Sequence, residues 1–264
     1  MEIKTDDGFW FGLGAFETIA LYKEQPVFLE EHLQRLFKTA EYFGWGASAK
    51  ERVTKESLRQ WLSGQKTACF TDDRKSGPGS ERKHLLAHGA LKIMLSEKNL
   101  QLSLRSNPYQ EEQYAKGFTM DFSSVRRNET SPLTAHKTLN YGDCILEKRA
   151  ATKAGMNERI FLNTKGQIAE GCVSNIFVVR KGEILTPDSS CGLLPGIMRA
   201  YVMHTVPVTE TILYPEDLAD CEECFVTNSL MGIMPVRQLG KYTFSSGKTA
   251  EQLIEQYRKA VKTL

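Results

Sequence analysis

No apolar run in these 264 residues approaches the roughly 20 that a helix needs to cross a bilayer, so no membrane span is expected. The opening Met1-Glu2-Ile3-Lys4-Thr5-Asp6-Asp7 is too acidic and too polar for a secretory signal. There is no long Lys/Arg block, and a net charge of +2 points neither to a polyanion such as nucleic acid nor to an acidic partner. The six cysteines are irregularly spaced and read as reduced thiols, which implies a cytoplasmic protein. Metal signatures are incomplete. His84-Leu85-Leu86-Ala87-His88 has leucine where a general-base glutamate would stand, and Cys221-Glu222-Glu223-Cys224 has no second pair at a suitable distance. Gly12-Leu13-Gly14 lacks the third glycine of a dinucleotide fingerprint, and no Gly-Lys-Ser/Thr follows it. No internal repeat is found. At 41% hydrophobic and 25% charged residues, the chain can bury one large core or two modest ones.

What is present is one amine, one carboxylate and two glycine-bearing turns in a suggestive order. Lys137 lies in Ala135-His136-Lys137-Thr138-Leu139-Asn140-Tyr141. Glu170 opens Glu170-Gly171-Cys172-Val173-Ser174-Asn175-Ile176-Phe177, and Gly192-Leu193-Leu194-Pro195-Gly196-Ile197-Met198-Arg199 follows. These are the parts needed to hold pyridoxal phosphate. A lysine can form a Schiff base with its aldehyde, a carboxylate can keep its pyridine nitrogen protonated, and turn amides can hold its phosphate. Taken singly each residue has a plainer reading. A lysine before a helix is ordinarily solvated, Glu170 could be a ladder residue, and Arg35, one turn after Glu31, would by default make a surface ion pair. Order and spacing together favour the cofactor.

Local patterns place these residues. Phe16 to Leu21 alternates like a strand, and Lys23-Glu24-Gln25-Pro26 supplies a turn. Leu29, Leu33, Leu36, Phe37, Ala40 and Phe43 recur at helical spacing before Gly44, and a second helix is predicted from Lys50 to Leu62. Ser63 to Gly89 reads as a polar loop, followed by strands at Ala90–Ser96 and Leu100–Arg105 and a break at Asn107-Pro108. Farther on, Tyr141 to Ala154 reads as a helix ended by Gly155. Hairpins are predicted at Arg159–Leu162 with Gln167–Glu170 and at Val173–Arg180 with Glu183–Thr186. A helix is expected to begin near Pro195, buried strands at Cys224–Thr227 and Met234–Val236, and an amphipathic helix from Ala250 to Lys262.

Six pieces in order carry a family resemblance: Phe11-Gly12-Leu13-Gly14-Ala15-Phe16-Glu17-Thr18, Glu31-His32-Leu33-Gln34-Arg35-Leu36, the Lys137 segment, the Glu170 segment, Gly192–Arg199, and Thr227-Asn228-Ser229-Leu230-Met231-Gly232-Ile233-Met234-Pro235-Val236. Over nearly its whole length the chain resembles the class IV aminotransferases, the pyridoxal 5'-phosphate enzymes of fold type IV. The resemblance implies a two-domain α+β fold, D-amino-acid aminotransferase-like. A small α/β domain would span 1–107, with its polar loop near 63–89, and a larger cofactor-binding domain 113–264, in a homodimer acting on a small-molecule substrate. By the same resemblance Lys137 would carry the cofactor and shuttle the substrate proton. Glu170 would pair with the pyridinium nitrogen, and Arg35 would bind the phosphate bidentately. Ser174, Asn175, Gly196, Ile197, Met198, Asn228 and Ser229 would surround phosphate and ring, the helix N-terminus favouring the anion. Tyr141 would touch the ring hydroxyl.

Two activities stay open at this point. Thr18, a catalytic candidate, and Asn228-Ser229-Leu230 resemble the branch that cleaves 4-amino-4-deoxychorismate to 4-aminobenzoate and pyruvate in folate synthesis. Glu17 is the residue a transaminase would carry, acting on branched-chain or D-amino acids with a 2-oxo acid acceptor. Retention of Lys137, Glu170 and Arg35 together disfavours a binding protein that has lost its chemistry. Where many members carry an Arg-Gly pair for the substrate carboxylate, this chain has Leu95-Ser96-Glu97-Lys98, leaving Arg105, Arg126 or Arg127 as replacements.

Overall fold

The computed structural model describes residues 3–65 and 80–263, which fall into two compact units. The first comprises Met1–Pro108 together with Lys137–Asn140 and Val261–Leu264. The segment carrying Lys137 therefore groups with the first unit, although the sequence boundary at 113 assigned it to the second.

The first unit runs α1 (Asp7–Phe11), β1 (Ala15–Tyr22), β2 (Gln25–Pro26), α2 (Leu29–Tyr42), α3 (Gly46–Arg52), α4 (Lys55–Gln65), α5 (Ser80–His88), β3 (Ala90–Leu95) and β4 (Leu100–Arg105). Among the described residues the strands form one antiparallel sheet in the order β2-β1-β3-β4. Successive side chains of a strand point to opposite faces. Accordingly Ala15, Ile19 and Leu21 of β1 and Leu91, Ile93 and Leu95 of β3 bury against Leu33, Leu36 and Ala40 of α2 and Leu58 and Leu62 of α4. Lys23 and Glu24 turn β1 into β2 with φ of 47° and 70°, the left-handed pair that a two-residue hairpin requires.

Two expectations change here. The single helix over Lys50–Leu62 is two, divided at Val53-Thr54. The Thr54 hydroxyl accepts the Ser57 N–H at 3.0 Å and the Ser57 hydroxyl accepts the Thr54 N–H at 2.9 Å, a reciprocal cap that starts α4 afresh. The polar loop near 63–89 is helical at both its ends, and its centre, 66–79, lies outside the described residues.

The second unit, Tyr109–His136 with Tyr141–Ala260, runs α6 (Glu111–Lys116), β5 (Phe118–Arg127), α7 (Gly142–Lys153), β6 (Glu158–Asn163), β7 (Ile168–Gly171), β8 (Asn175–Arg180), β9 (Glu183–Pro187), α8 (Ile197–Thr205), β10 (Thr209–Thr211), β11 (Glu223–Asn228), β12 (Gly232–Leu239), β13 (Tyr242–Thr243) and α9 (Lys248–Lys262). Its sheet is ordered β10-β9-β8-β11-β12-β5-β6-β7, with β13 beside β12. The hairpins β6–β7 and β8–β9 form as their turn residues imply. β5, unread in the sequence, joins two neighbours by parallel pairing, to β12 and to β6. One face of the sheet buries Phe118, Met120, Ile160, Ile176, Val178, Val226 and Met234. On the other, Phe177 and Phe225 stack at 4.9 Å. Pro195 lies ahead of α8 rather than in its first turn, and Gly196 is the N-cap.

Gly14 fixes how the Lys137 segment meets β1. A Cβ there would stand 2.5 Å from Leu139 Cδ1 and 2.8 Å from the Leu95 carbonyl oxygen, and the latter cannot swing aside. Gly14→Ala is expected to destabilise the fold by about 1–3 kcal/mol, as overpacking does. Gly64→Ala, in α4 with nothing within 4 Å, is expected to stabilise by up to about 1 kcal/mol. Denaturant titration of both variants checks the pair, and equal effects would show that Gly14 is not a close-approach position.

Candidate active site

In the first unit the candidate groups gather on β1. Phe16 N–H donates to the Lys137 carbonyl at 3.0 Å and Leu139 N–H to the Gly14 carbonyl at 2.8 Å, so the lysine segment runs beside the start of the strand. Lys137 Nζ lies 4.5 Å from the centroid of the Phe16 ring, within cation–π range. Thr18, two residues on, shares the face of Phe16 and pairs in register with Lys92 of β3.

Glu17 points the opposite way, toward α2. Its buried carboxylate takes Arg35 Nε on Oε1 and Arg35 Nη2 on Oε2, both at 2.7 Å, and His32 Nδ1 lies 2.6 Å from Oε2. Burial alone would raise its pKa. The Arg35 charge, supported by His32, outweighs burial and holds the carboxyl at about 2, against an ordinary 4.5. Burial lowers the His32 pKa, and the positive Arg35 and Lys137 add to the fall while Glu17 opposes it. The ring is therefore a neutral donor to Glu17 at neutral pH. The two-pronged edge of Arg35 that the sequence reading reserved for a phosphate is thus turned to Glu17.

In the second unit Glu170, 3% exposed, sits on β7. Arg127 closes β5 and reaches Glu170 Oε1 with Nε at 2.9 Å and with Nη2, while Leu194 N–H donates to Oε2 at 3.0 Å. Burial works to lower the Arg127 pKa, but Glu170 and then Cys144 raise it overall. Of the three replacements considered for the absent Arg-Gly pair, Arg127 is committed to Glu170, and Arg126 and Arg105 are exposed. Tyr141 immediately precedes α7, and its hydroxyl donates to the Cys172 carbonyl at 2.9 Å. Burial, with Cys144 and Glu170 adding, pushes that phenol well above its usual range.

The turns are built around these groups. Asn175 Nδ2 donates to the Leu194 carbonyl at 2.8 Å, so one residue ties β8 and Glu170 to the turn before α8. At Gly196 a Cβ would fall 2.1 Å from Asn175 Oδ1, which only glycine avoids. No side chain caps α8, so the first-turn amides, including those of Ile197 and Met198, face outward from the helix end. Ser174 donates its hydroxyl to Glu158 Oε1 at 2.9 Å, and the Val173 N–H reaches the same oxygen at 2.7 Å. Asn228 Oδ1 accepts the N–H groups of Leu230 and Met231, each at 2.9 Å, which closes the turn carrying Ser229. Ser174, Asn175 and Asn228 thus shape the turns. Arg127 as the anchor of Glu170 and Glu158 as that of Ser174 were missed by sequence, because nothing local marks a partner on a distant strand.

Residues 14–239 match the class IV amino-transferase family. The chain is 28% identical over 276 residues to the aminodeoxychorismate lyase of Bacillus subtilis (strain 168), covering 98% of this chain and 89% of that protein. It is 26% identical over 258 residues to a probable branched-chain-amino-acid aminotransferase of Thermotoga maritima, covering 94% and 86%. The solved 4-amino-4-deoxychorismate lyase from Pseudomonas aeruginosa superposes with a TM-score of 0.77 at 25% identity, covering 98% of this chain and 95% of that one. A putative branched-chain amino acid aminotransferase structure from Thermotoga maritima shares the fold at a TM-score of 0.76 and 23% identity, covering 100% and 92%.

Glu17 is the test of the first unit's charge arrangement. Because its folded pKa is depressed, the stability it contributes is present above pH 4.5 and is lost as pH falls toward about 2. Glu17→Gln removes the carboxylate that faces the Arg35 guanidinium in this buried pair and is expected to cost about 3–5 kcal/mol at pH 7. The difference between the two proteins should shrink as pH drops through that window. A constant difference from pH 7 to 2, measured by denaturation, would refute the ion pair.

Proposed function

The chain belongs to the class IV aminotransferase family, whose enzymes depend on pyridoxal phosphate, and from that premise we propose that it is the lyase that converts 4-amino-4-deoxychorismate to 4-aminobenzoate and pyruvate in folate synthesis. The observation that carries the choice is Thr18 on the face of β1 where Lys137 Nζ lies over Phe16. Glu17, the residue that favours transamination from sequence, points to the other face, into its pair with Arg35.

The residues fit the cofactor. Glu170 is a buried carboxylate fixed by a guanidinium and a backbone N–H, the anionic acceptor that a protonated pyridine nitrogen needs. The uncapped amides at the start of α8 suit a phosphate, and Gly196 keeps that approach clear of a side chain. Arg35, Ser229, Ile197 and Met198 would hold the phosphate, with Arg35 using the guanidinium edge not turned to Glu17. Tyr141 would meet the ring hydroxyl, while Ser174, Asn175, Gly196 and Asn228 hold the turns in shape. When bound, pyridoxal phosphate supplies an aldehyde carbon for the substrate amine and a ring that accepts the electron pair left by the departing proton.

Lys137 Nζ takes the proton from the substrate carbon that bears the amine. The bond from the neighbouring ring carbon to the enolpyruvyl oxygen then breaks, and the six-membered ring becomes aromatic. The departing oxygen takes a proton that Lys137 Nζ returns through the Thr18 hydroxyl, which gives its own proton to the oxygen and receives the one from Nζ, and enolpyruvate tautomerises to pyruvate. A homodimer, a cytoplasmic setting and the division into a small and a larger cofactor-binding domain belong to the same proposal. Among the described residues no helix is long and apolar enough to cross a membrane.

Borohydride reduction is expected to fix the cofactor to the peptide containing Lys137. Lys137→Ala should fold yet lose turnover by about 10²–10⁴-fold, because the positioned base is gone. Glu170→Gln should keep most of the cofactor and lose about 10²–10³-fold in turnover, the scale for removing one preorganised electrostatic group. The deciding assay supplies 4-amino-4-deoxychorismate and measures 4-aminobenzoate and pyruvate, beside L- and D-amino acids with 2-oxoglutarate or pyruvate. Robust amino transfer with no 4-aminobenzoate would replace the lyase by a transaminase.

A further inference from the structure

The face of the first sheet that carries Phe16 and Thr18 also carries two cations, Lys92 and Arg105, that no carboxylate among the described residues pairs with. By register, Lys92 stands opposite Thr18 on one side and Ser103 on the other, and Arg105 stands opposite Ala90, two residues along from Lys92 on the same face. That face holds Phe16, Thr18 and Ala20 of β1, Ala90, Lys92 and Met94 of β3, and Gln101, Ser103 and Arg105 of β4, with no carboxylate among them. Lys92 Nζ lies 5.4 Å from the centroid of the same Phe16 ring over which Lys137 Nζ stands at 4.5 Å. The two nitrogens are therefore no farther apart than those two distances laid end to end, a span that the amine and a remote carboxylate of one small substrate can cover. No carboxylate among the described residues offsets Lys92, whose pKa is lowered by burial and by the repulsion of Arg105. Like charges held together on a half-buried face are unfavourable until an anion joins them. Lysine and arginine side chains are long enough to leave such a face, yet Lys92 is held over an aromatic ring.

We propose that Lys92, with Arg105 beside it, binds a carboxylate of the substrate other than the reacting end, and so selects dicarboxylate amines over those with apolar side chains. This rests on the reading that Lys137 is the reacting amine, and it assigns the role left vacant by Leu95-Ser96-Glu97-Lys98. Lys92 is a specificity residue in this scheme. An ammonium over Phe16 attracts a carboxylate as a point charge, and Arg105 adds a second cation at the strand end. Branched-chain substrates carry a carboxylate only at the reacting end and offer these cations no second one.

The test uses the cofactor-loaded enzyme and two non-reacting probes that differ by one carboxylate, isophthalate and benzoate, with binding measured by calorimetry. The wild type is expected to prefer isophthalate by about tenfold or more. Lys92→Met should bring the ratio close to unity, Arg105→Gln should lower it several-fold, and Lys92→Arg should retain most of it. Cofactor content and the absorption of the bound cofactor should stay unchanged in all three. A Lys92→Met protein that keeps the isophthalate preference, or a wild type that shows none, overturns the proposal. So does a Lys92→Met protein that loses cofactor but keeps the preference, which would assign the cation to the cofactor phosphate. The lyase reading fails separately. A chain that forms no 4-aminobenzoate but shows a Lys92-dependent preference is a transaminase of acidic substrates, and the subsite stands. A chain that forms 4-aminobenzoate with the same KM in wild type and Lys92→Met sinks the subsite alone.

Discussion

Two backbone hydrogen bonds, Phe16 N–H to the Lys137 carbonyl and Leu139 N–H to the Gly14 carbonyl, fix where Lys137 lies. They bring a residue from the middle of the chain beside the first strand. Gly14 permits the approach, because any Cβ would strike Leu139 and the Leu95 carbonyl. Backbone donors buried at such a junction must be paired, so the register of these few residues is held by hydrogen bonding as well as by packing. The position of Lys137 Nζ over Phe16 follows from that register.

The pleat of β1 then sorts the chemistry. Adjacent residues face opposite sides, so Glu17 enters the helix layer while Phe16 and Thr18 face the lysine. The buried carboxylate is tolerable because Arg35 neutralises it and His32 satisfies a remaining lone pair. The strands of the other face place Lys92 and Arg105 with no carboxylate beside them on that face among the described residues. In the second unit the same economy holds Glu170, pinned by Arg127 on one oxygen and by the Leu194 amide on the other. The turn that supplies this amide is in turn fastened by Asn175, so Glu170 and the turn before α8 share one anchor at Leu194.

Much of the fold was legible because turn chemistry and periodicity are local. β1, the β6–β7 and β8–β9 hairpins, α2 with its stop at Gly44, and α9 all follow from such signals. The stretch 109–136 was not read. β5 mixes Asp121, Ser123 and Ser124 with Phe118, Met120 and Phe122, and its parallel neighbours are far away in sequence, with no turn to announce them. The split between α3 and α4 rested on a two-residue cap between Thr54 and Ser57, a side-chain detail that helical periodicity runs straight through.

By itself the sequence determined the family and the cofactor, because motif order and residue type carry that chemistry. It also marked turn residues such as Asn228, whose side chain acts on Leu230 and Met231 in its own segment. Only the tertiary structure decided the partners: Arg35 with Glu17, Arg127 with Glu170, Glu158 with Ser174, and Lys92 with the Phe16 ring. These pairs join residues on different elements, and strand register and burial set them. A motif names a charged side chain but leaves open whether it meets a ligand or another side chain. That choice is made by the face on which the fold places it and by the charge waiting there.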